Sequence, residues 1–265
     1  MELKDFDYRF FESPVEKLFQ DIRTFAVPRI EVPSDVESQL DKYLNEAKEF
    51  CTAHWKHTQP ILFRARKSDY GQLEKFATKD MGPPPAAIVS AGRAQLAGDA
   101  MLYLADSCQT AITEVKPDVG EYVTVGNFKI NSGRLVKIMD LTRLTAVWKA
   151  PYSQLEDLIS LSKYVFSAQV HPAHPRKYYA QAYFVQKIRE LGYDGIGYKS
   201  AVHNEGLCFA FFDASLFKCT RTQLHQVKKV DVLAEHVQFS LQEKRYIAEQ
   251  KTKLKKGHHL PHCQP

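Results

Sequence analysis

Apolar residues recur at steps of three and four near the amino end of the chain, and this spacing predicts an amphipathic helix over about 35–56. A capping box, Ser34-Asp35-Val36-Glu37, marks its start. The apolar stripe comprises Val36, Leu40, Tyr43, Leu44, Ala47, Phe50 and Cys51. We expect this stripe to pack on the domain that follows, and docking on a partner protein is the alternative.

Shorter apolar runs bounded by Gly, Pro, Asn or Asp predict the strands of the fold. They lie at residues 61–66, 101–105, 121–130, 135–141, 195–199, 207–212 and 227–239. Asn131-Ser132-Gly133 is a turn signal, which predicts that the strands on either side of it form a hairpin.

Three further helices are predicted, at residues 107–116, 154–168 and 175–191. Asp106 is the expected cap of the first, and Gly192 the expected end of the last. Residues 67–92 are rich in Gly and Pro, which predicts a long loop of the kind that often forms a lid. Because strands outnumber helices and a hairpin is expected, we predict an α+β fold.

Composition narrows the class of protein. The 265 residues are 44% hydrophobic, enough for one sizeable core. No apolar run approaches the roughly 18 residues of a membrane span, and the amino end lacks a signal-peptide core, so we expect a cytoplasmic protein with no membrane partner. The five cysteines are scattered without a Cys-x-x-Cys pair, which predicts reduced structural thiols and no metal site.

The net charge of +5 is concentrated at the carboxyl end. Residues 241–265 contain six basic and two acidic residues, which leaves the body nearly neutral. Basic and aromatic residues do not interleave along any one element, so nucleic acid is not an expected partner. The segment lacks apolar periodicity, and we expect a basic, disordered tail.

Arginines stand beside apolar runs in two places. Arg64 and Arg66 share the parity of a predicted strand, so both side chains should emerge on one face. Two guanidinium groups on one face suit a diphosphate, because each can make bidentate contacts, whereas an exposed strand face is the alternative. Arg93 lies between Gly92 and Gly98, in a segment that suits either close backbone approach to a ligand or a plain surface turn.

Three further polar groups are candidates. Glu114 lies at the border of the apolar stripe of the 107–116 helix, where a carboxylate is either part-buried in a cleft or solvated. Tyr103 lies on an apolar strand and serves either as core or as a stacking surface for a flat ring. Ser200 ends a strand and begins a loop, with no Gly-x-Ser-x-Gly elbow, so it is not a serine-hydrolase nucleophile.

Taken together these segments resemble the RES-domain family, named for its Arg, Glu and Ser residues. The resemblance runs over about 61–215. It rests on Phe63-Arg64-Ala65-Arg66, Gly92-Arg93-Ala94-Gln95-Leu96-Ala97-Gly98, Leu102-Tyr103-Leu104-Ala105, Ala111-Ile112-Thr113-Glu114-Val115 and Gly192-Tyr193-Asp194-Gly195-Ile196-Gly197-Tyr198-Lys199-Ser200. The chain departs from the family pattern after Gly206, where Leu207-Cys208 replaces small polar residues.

The resemblance implies an ADP-ribosyltransferase-like fold, with a mixed or antiparallel core and flanking helices. It divides the chain into an N-terminal helical extension at 1–60, a RES-like catalytic domain at 61–240 and the tail at 241–265. It also implies an enzyme that consumes NAD as a substrate rather than holding it as a cofactor. Hydrolysis and phosphorolysis are both known in the family, often in a toxin beside an Xre-type antitoxin.

The resemblance also implies roles for the candidate residues. Glu114 would stabilise positive charge on the ribose, and Tyr103 would stack on a ring. Arg64 would clamp the pyrophosphate, with Arg66 and Arg93 as further substrate-binding residues. Ser200 would hydrogen-bond the ribose or a phosphate. No metal is required.

Two alternatives stay open. The acceptor of ADP-ribose could be a macromolecule instead of water or inorganic phosphate, which would make the protein an ADP-ribosyltransferase. A non-catalytic module that docks partners through the 35–56 helix and the basic tail is the alternative of another class. The sequence leaves the oligomeric state undecided, and a homo-oligomer remains open.

Overall fold

The computed structural model describes Leu18, Ile22 and residues 32–58, 60–68, 73, 75–89, 94–145 and 179–232. Its helices are α1 (Ser34–Cys51), α2 (Cys108–Glu114) and α3 (Tyr179–Glu190). Its strands are β1 (Thr52–Trp55), β2 (Leu62–Lys67), β3 (Leu102–Ala105), β4 (Tyr122–Ile130), β5 (Val136–Asp140), β6 (Gly195–Lys199), β7 (Leu207–Phe211) and β8 (Phe217–Gln226). No helix among these residues is long and apolar enough to cross a bilayer.

The eight strands form one mixed sheet in the order β1-β5-β6-β7-β3-β2-β4-β8. Within it β5 and β6 run parallel, and the other recorded pairs are antiparallel. With helices flanking this sheet, the predicted α+β class is confirmed.

One face of the sheet carries the helices. The stripe of α1, including Leu40 and Leu44, packs with Phe184 and Val185 of α3 over the β5–β6–β7 region. The shorter α2 covers β2, β3 and β4 with a separate apolar cluster. The stripe near the amino end is therefore part of the core, as its spacing predicted.

The other face is an aromatic core. Trp55 contacts Phe209 with ring centroids 4.8 Å apart, and Phe211 contacts Phe217 at 4.3 Å. The rings pack closely against the glycines of β6. A Cβ at Gly195 would lie 2.6 Å from the carbonyl oxygen of Ala210 and 2.8 Å from the Phe211 ring, so a larger residue does not fit there. The glycines of β6 thus serve packing of the sheet.

Several predicted boundaries were wrong. The first helix ends at Cys51 rather than near 56, because Thr52–Trp55 pairs with β5 as the edge strand β1. Ser107, not Asp106, caps α2, and its Oγ accepts from the Thr110 amide at 3.0 Å. Among the described residues the last strand is β8, and residues 227–232 are not in a strand, while 233–239 of the predicted strand lie outside the described residues.

The predicted hairpin was also wrong. A turn does form after β4, with Gly133 at φ 79°, but β4 pairs with β2 and β8 while β5 pairs with β1 and β6. The Asn131 side chain donates instead to the Ser215 carbonyl at 2.6 Å, which ties the turn to the approach to β8.

Some predictions lie outside the described residues. These are the helix at 154–168, the start of the helix at 175–191 and the tail at 241–265. The end of that last helix agrees with the sequence, since Gly192 follows α3 in the left-handed region at φ 76°. The chain divides after Lys228 into two compact units, and of the second the structure describes Lys229–Val232, in which Lys229 pairs with Asp231.

Leu40→Ala is expected to lower the free energy of unfolding by about 2–5 kcal/mol, because it opens a cavity in the core that α1 shares with α3. Urea unfolding measures the change, and Ser38→Ala on the exposed side of α1 is the control. Equal stability of the two variants would show that α1 is not part of the folded core.

Candidate functional site

Glu114 lies in the last turn of α2, half-buried, with its carboxylate held through one oxygen. The hydroxyl of Ser200 donates to Oε1 at 2.6 Å, and the thiol of Cys208 donates to the same oxygen at 3.3 Å. The three residues come from α2, the end of β6 and β7. Glu114, at the border of the apolar stripe of its helix, is therefore hydrogen-bonded within the protein rather than only solvated.

The loop after β6 fixes Ser200. Its backbone amide donates to the Gly206 carbonyl at 2.8 Å, and the Gly206 amide donates to the His203 carbonyl at 3.0 Å. The amides of Val202 and His203 donate to Ser200 Oγ at 3.2 and 2.9 Å. The residue is only 7% exposed.

A second chain of hydrogen bonds joins this loop to the start of α2. His203 Nδ1 lies 2.9 Å from Thr110 Oγ1, which lies 2.7 Å from Ser107 Oγ. A Cβ at Gly206 would come within 2.5 Å of Thr110, so the close approach of loop and helix requires glycine there. Sequence reasoning missed His203, Thr110 and Cys208, because contacts between such distant residues leave no local signal.

Arg64 lies in the middle of β2 and is mostly buried. Its pKa is lowered to about 10, mainly by burial and further by the charge of Arg66, while Tyr103 opposes the shift. The guanidinium is therefore still charged at neutral pH. Its Nε is buried without a hydrogen-bond partner, and no ion pair to Arg64 is formed within the described part of the chain. A buried charge of this kind is costly unless an anion binds it.

The sheet is split beside Arg64. β2 and β3 share a single register pair, Phe63 with Ala105, although β2 has six residues and β3 has four. Beyond that pair β2 is hydrogen-bonded to β4, and β3 is hydrogen-bonded to β7. Arg64 and Tyr103 lie on the two strands that separate there.

Arg64 and Glu114 lie on different sides of β2. Strand alternation puts Arg64 on the face of the aromatic core with Leu62, whereas α2 packs on the face of Ala65. Ala105 pairs with Cys208, so Tyr103, two residues before Ala105, lies on the same helix-bearing face as Cys208. Tyr103 and Cys208 are diagonal neighbours on the two strands, and such neighbours are about 7–8 Å apart. Among the described residues no hydrogen bond joins Arg64 to Glu114.

The remaining arginines differ. Arg66 shares the face of Arg64, as its parity predicted, but its guanidinium lies over the Phe76 ring at 4.4 Å and donates to the Asp80 carbonyl. Arg93 lies outside the described residues.

The RES domain family matches residues 61–240. A chain from the crystal structure of the M. tuberculosis MbcT-MbcA toxin-antitoxin complex is 14% identical, with 71% of this chain and 94% of that chain covered and a TM-score of 0.42. No curated protein matches the sequence. Since the family match spans more than half of its residues, the chain belongs to the RES domain family.

Proposed function

We propose that the protein cleaves the bond between nicotinamide and ribose in NAD. The observation that carries the proposal is the Glu114 carboxylate, whose Oε1 is fixed by Ser200 at 2.6 Å while no hydrogen bond of the described residues occupies Oε2. A carboxylate fixed in this way presents one oxygen to a ligand in a set direction.

The chemistry suits such a group. Loss of nicotinamide, which leaves as a neutral molecule, develops positive charge on the ribose. Oε2 of Glu114 would bind a ribose hydroxyl and stabilise that charge. Electrostatic stabilisation of this kind is worth about 3–4 kcal/mol when the group is preorganised.

Arg64 supports a substrate that carries phosphate. Its guanidinium is charged, mostly buried and without an anionic partner among the described residues. A pyrophosphate would supply the missing acceptors through bidentate contacts. The split between β2 and β3 would then receive the ligand, with Tyr103 stacking on a ring from the other strand.

The fate of ADP-ribose is the finer part of the proposal. Transfer of the ADP-ribosyl group to water gives ADP-ribose, nicotinamide and a proton. Transfer to inorganic phosphate gives phosphorylated ADP-ribose and nicotinamide. A toxin held in check by an antitoxin protein of the Xre type is the biological role that fits a cytoplasmic NAD-consuming enzyme.

The experiment uses NAD labelled in its adenine ring, incubated with purified protein in the presence and absence of phosphate. We expect the label to move from NAD to a small product, and the mass of that product to report whether water or phosphate was the acceptor. Label that stays in NAD would contradict the proposal. Label that enters protein or nucleic acid would make the chain an ADP-ribosyltransferase.

A further inference from the structure

Ser200 has no hydrogen-bonding capacity left for a substrate. A serine hydroxyl offers one donor and two acceptor positions. The donor is used by Glu114 Oε1 at 2.6 Å, and the acceptors are used by the amides of Val202 and His203 at 3.2 and 2.9 Å. To touch a ribose or a phosphate, this nearly buried hydroxyl would first have to break one of these bonds.

The two amides also make Ser200 a stronger donor. Hydrogen bonds accepted by an oxygen polarise its own O–H bond, so bonds in such a chain strengthen one another. The recipient is a carboxylate, and bonds to charged groups are among the strongest in proteins. Through Ser200, the loop from Ser200 to Gly206 therefore strengthens the hydrogen bond to the Glu114 carboxylate.

Cys208 is the second donor to the same oxygen. It lies on β7, is 4% exposed, and reaches Oε1 at 3.3 Å. Because β7 is paired on both sides, by β3 and by β6, its position is rigid. With both donors on Oε1, rotation of the carboxylate is restrained and Oε2 keeps one direction.

We infer that Ser200 and Cys208 are positioning residues that act through Glu114 and do not contact NAD. The inference rests on the proposed function. It differs from the role that the resemblance implied for Ser200, which was a direct bond to the ribose or a phosphate, and it adds a residue at a position where the chain departs from the family pattern.

The test compares Ser200→Ala, Cys208→Ala and Cys208→Ser by steady-state kinetics with NAD. Ser200→Ala is expected to lower kcat about 10–100-fold, and Cys208→Ala about 3–10-fold because a thiol is the weaker donor. KM should stay within about twofold in both variants, since neither side chain contacts NAD. Cys208→Ser keeps a donor and should restore kcat to within about twofold of the parent.

Cys51→Ala is the matched control, because Cys51 is a fully buried thiol of the α1 core that does not contact Glu114. It should leave kcat and KM unchanged. If the loss of a buried thiol slowed the enzyme through core packing alone, Cys51→Ala would be slowed as well. A rise in KM of tenfold or more in Ser200→Ala, or a Cys208→Ser variant as slow as Cys208→Ala, would overturn the inference alone. A parent protein that does not consume NAD would overturn the proposed function and the inference together.

Discussion

Glu114→Gln is expected to lower the rate of NAD consumption by about 10²–10³-fold or more, with the fold intact. The amide oxygen of glutamine can still accept from Ser200, so the local structure survives. What is lost is the negative charge that stabilises the developing ribose cation. The measurement is the initial rate of NAD loss, with the midpoint of thermal unfolding as the check on folding.

Glu49→Gln is the control for the loss of one carboxylate, because Glu49 is exposed on α1, away from the contacts of Glu114. Its rate should equal that of the parent. A Glu114→Gln protein that consumes NAD at the parent rate would show that the carboxylate has no part in the chemistry.

Arg64→Met is expected to have opposite effects on binding and on stability. The KM for NAD should rise about 10–100-fold, because bonds from a charged group to the pyrophosphate are lost while most of the kcat remains. The ligand-free protein should gain about 1–3 kcal/mol in its free energy of unfolding, since methionine fills similar space without a buried charge. Initial rates of NAD loss at varied NAD concentration measure the KM, and urea unfolding without NAD measures the stability.

The stability gain has a defined pH dependence. Because burial lowers the pKa of Arg64 to about 10 in the folded protein, the cost of its charge is fully present below that pH. Above it the folded state loses the proton before the unfolded chain does, so the gap between Arg64→Met and the parent should shrink as the pH rises through 10.

Arg134→Met is the matched control, since the Arg134 side chain is half-exposed and, within the described part of the chain, forms only a long ion pair with Asp213 at 3.9 Å. It should change stability by no more than about 0.5 kcal/mol and leave the KM unchanged. If Arg64→Met instead lowers stability and keeps the parent KM, Arg64 is a structural residue and not a phosphate clamp.

The sequence predicted elements whose cause is local. The stripe of α1 marks a helix because its residues face one side at every turn, and Gly192 marks the end of α3 because only glycine adopts that backbone conformation easily. The hairpin after β4 was wrong for the converse reason. A turn signal fixes four residues, whereas the partners of β4 and β5 are set by packing across the whole sheet.

The sequence proposes residue types for the candidate site, but it does not give their geometry. Glu114 and Ser200 were both candidates, yet their direct contact joins positions 86 residues apart and depends on the order of β3, β7 and β6. Cys208 gave no signal, since a buried thiol on a strand is usually a packing residue. The split between β2 and β3 likewise became visible only in the register of the strands.

The most direct measurement of the central claim is the release of nicotinamide from NAD by the purified parent protein and by Glu114→Gln, followed by mass spectrometry. We predict one nicotinamide for each NAD lost with the parent, and almost none with the variant over the same time. NAD that stays intact with the parent protein, or nicotinamide released equally by both proteins, would contradict the account.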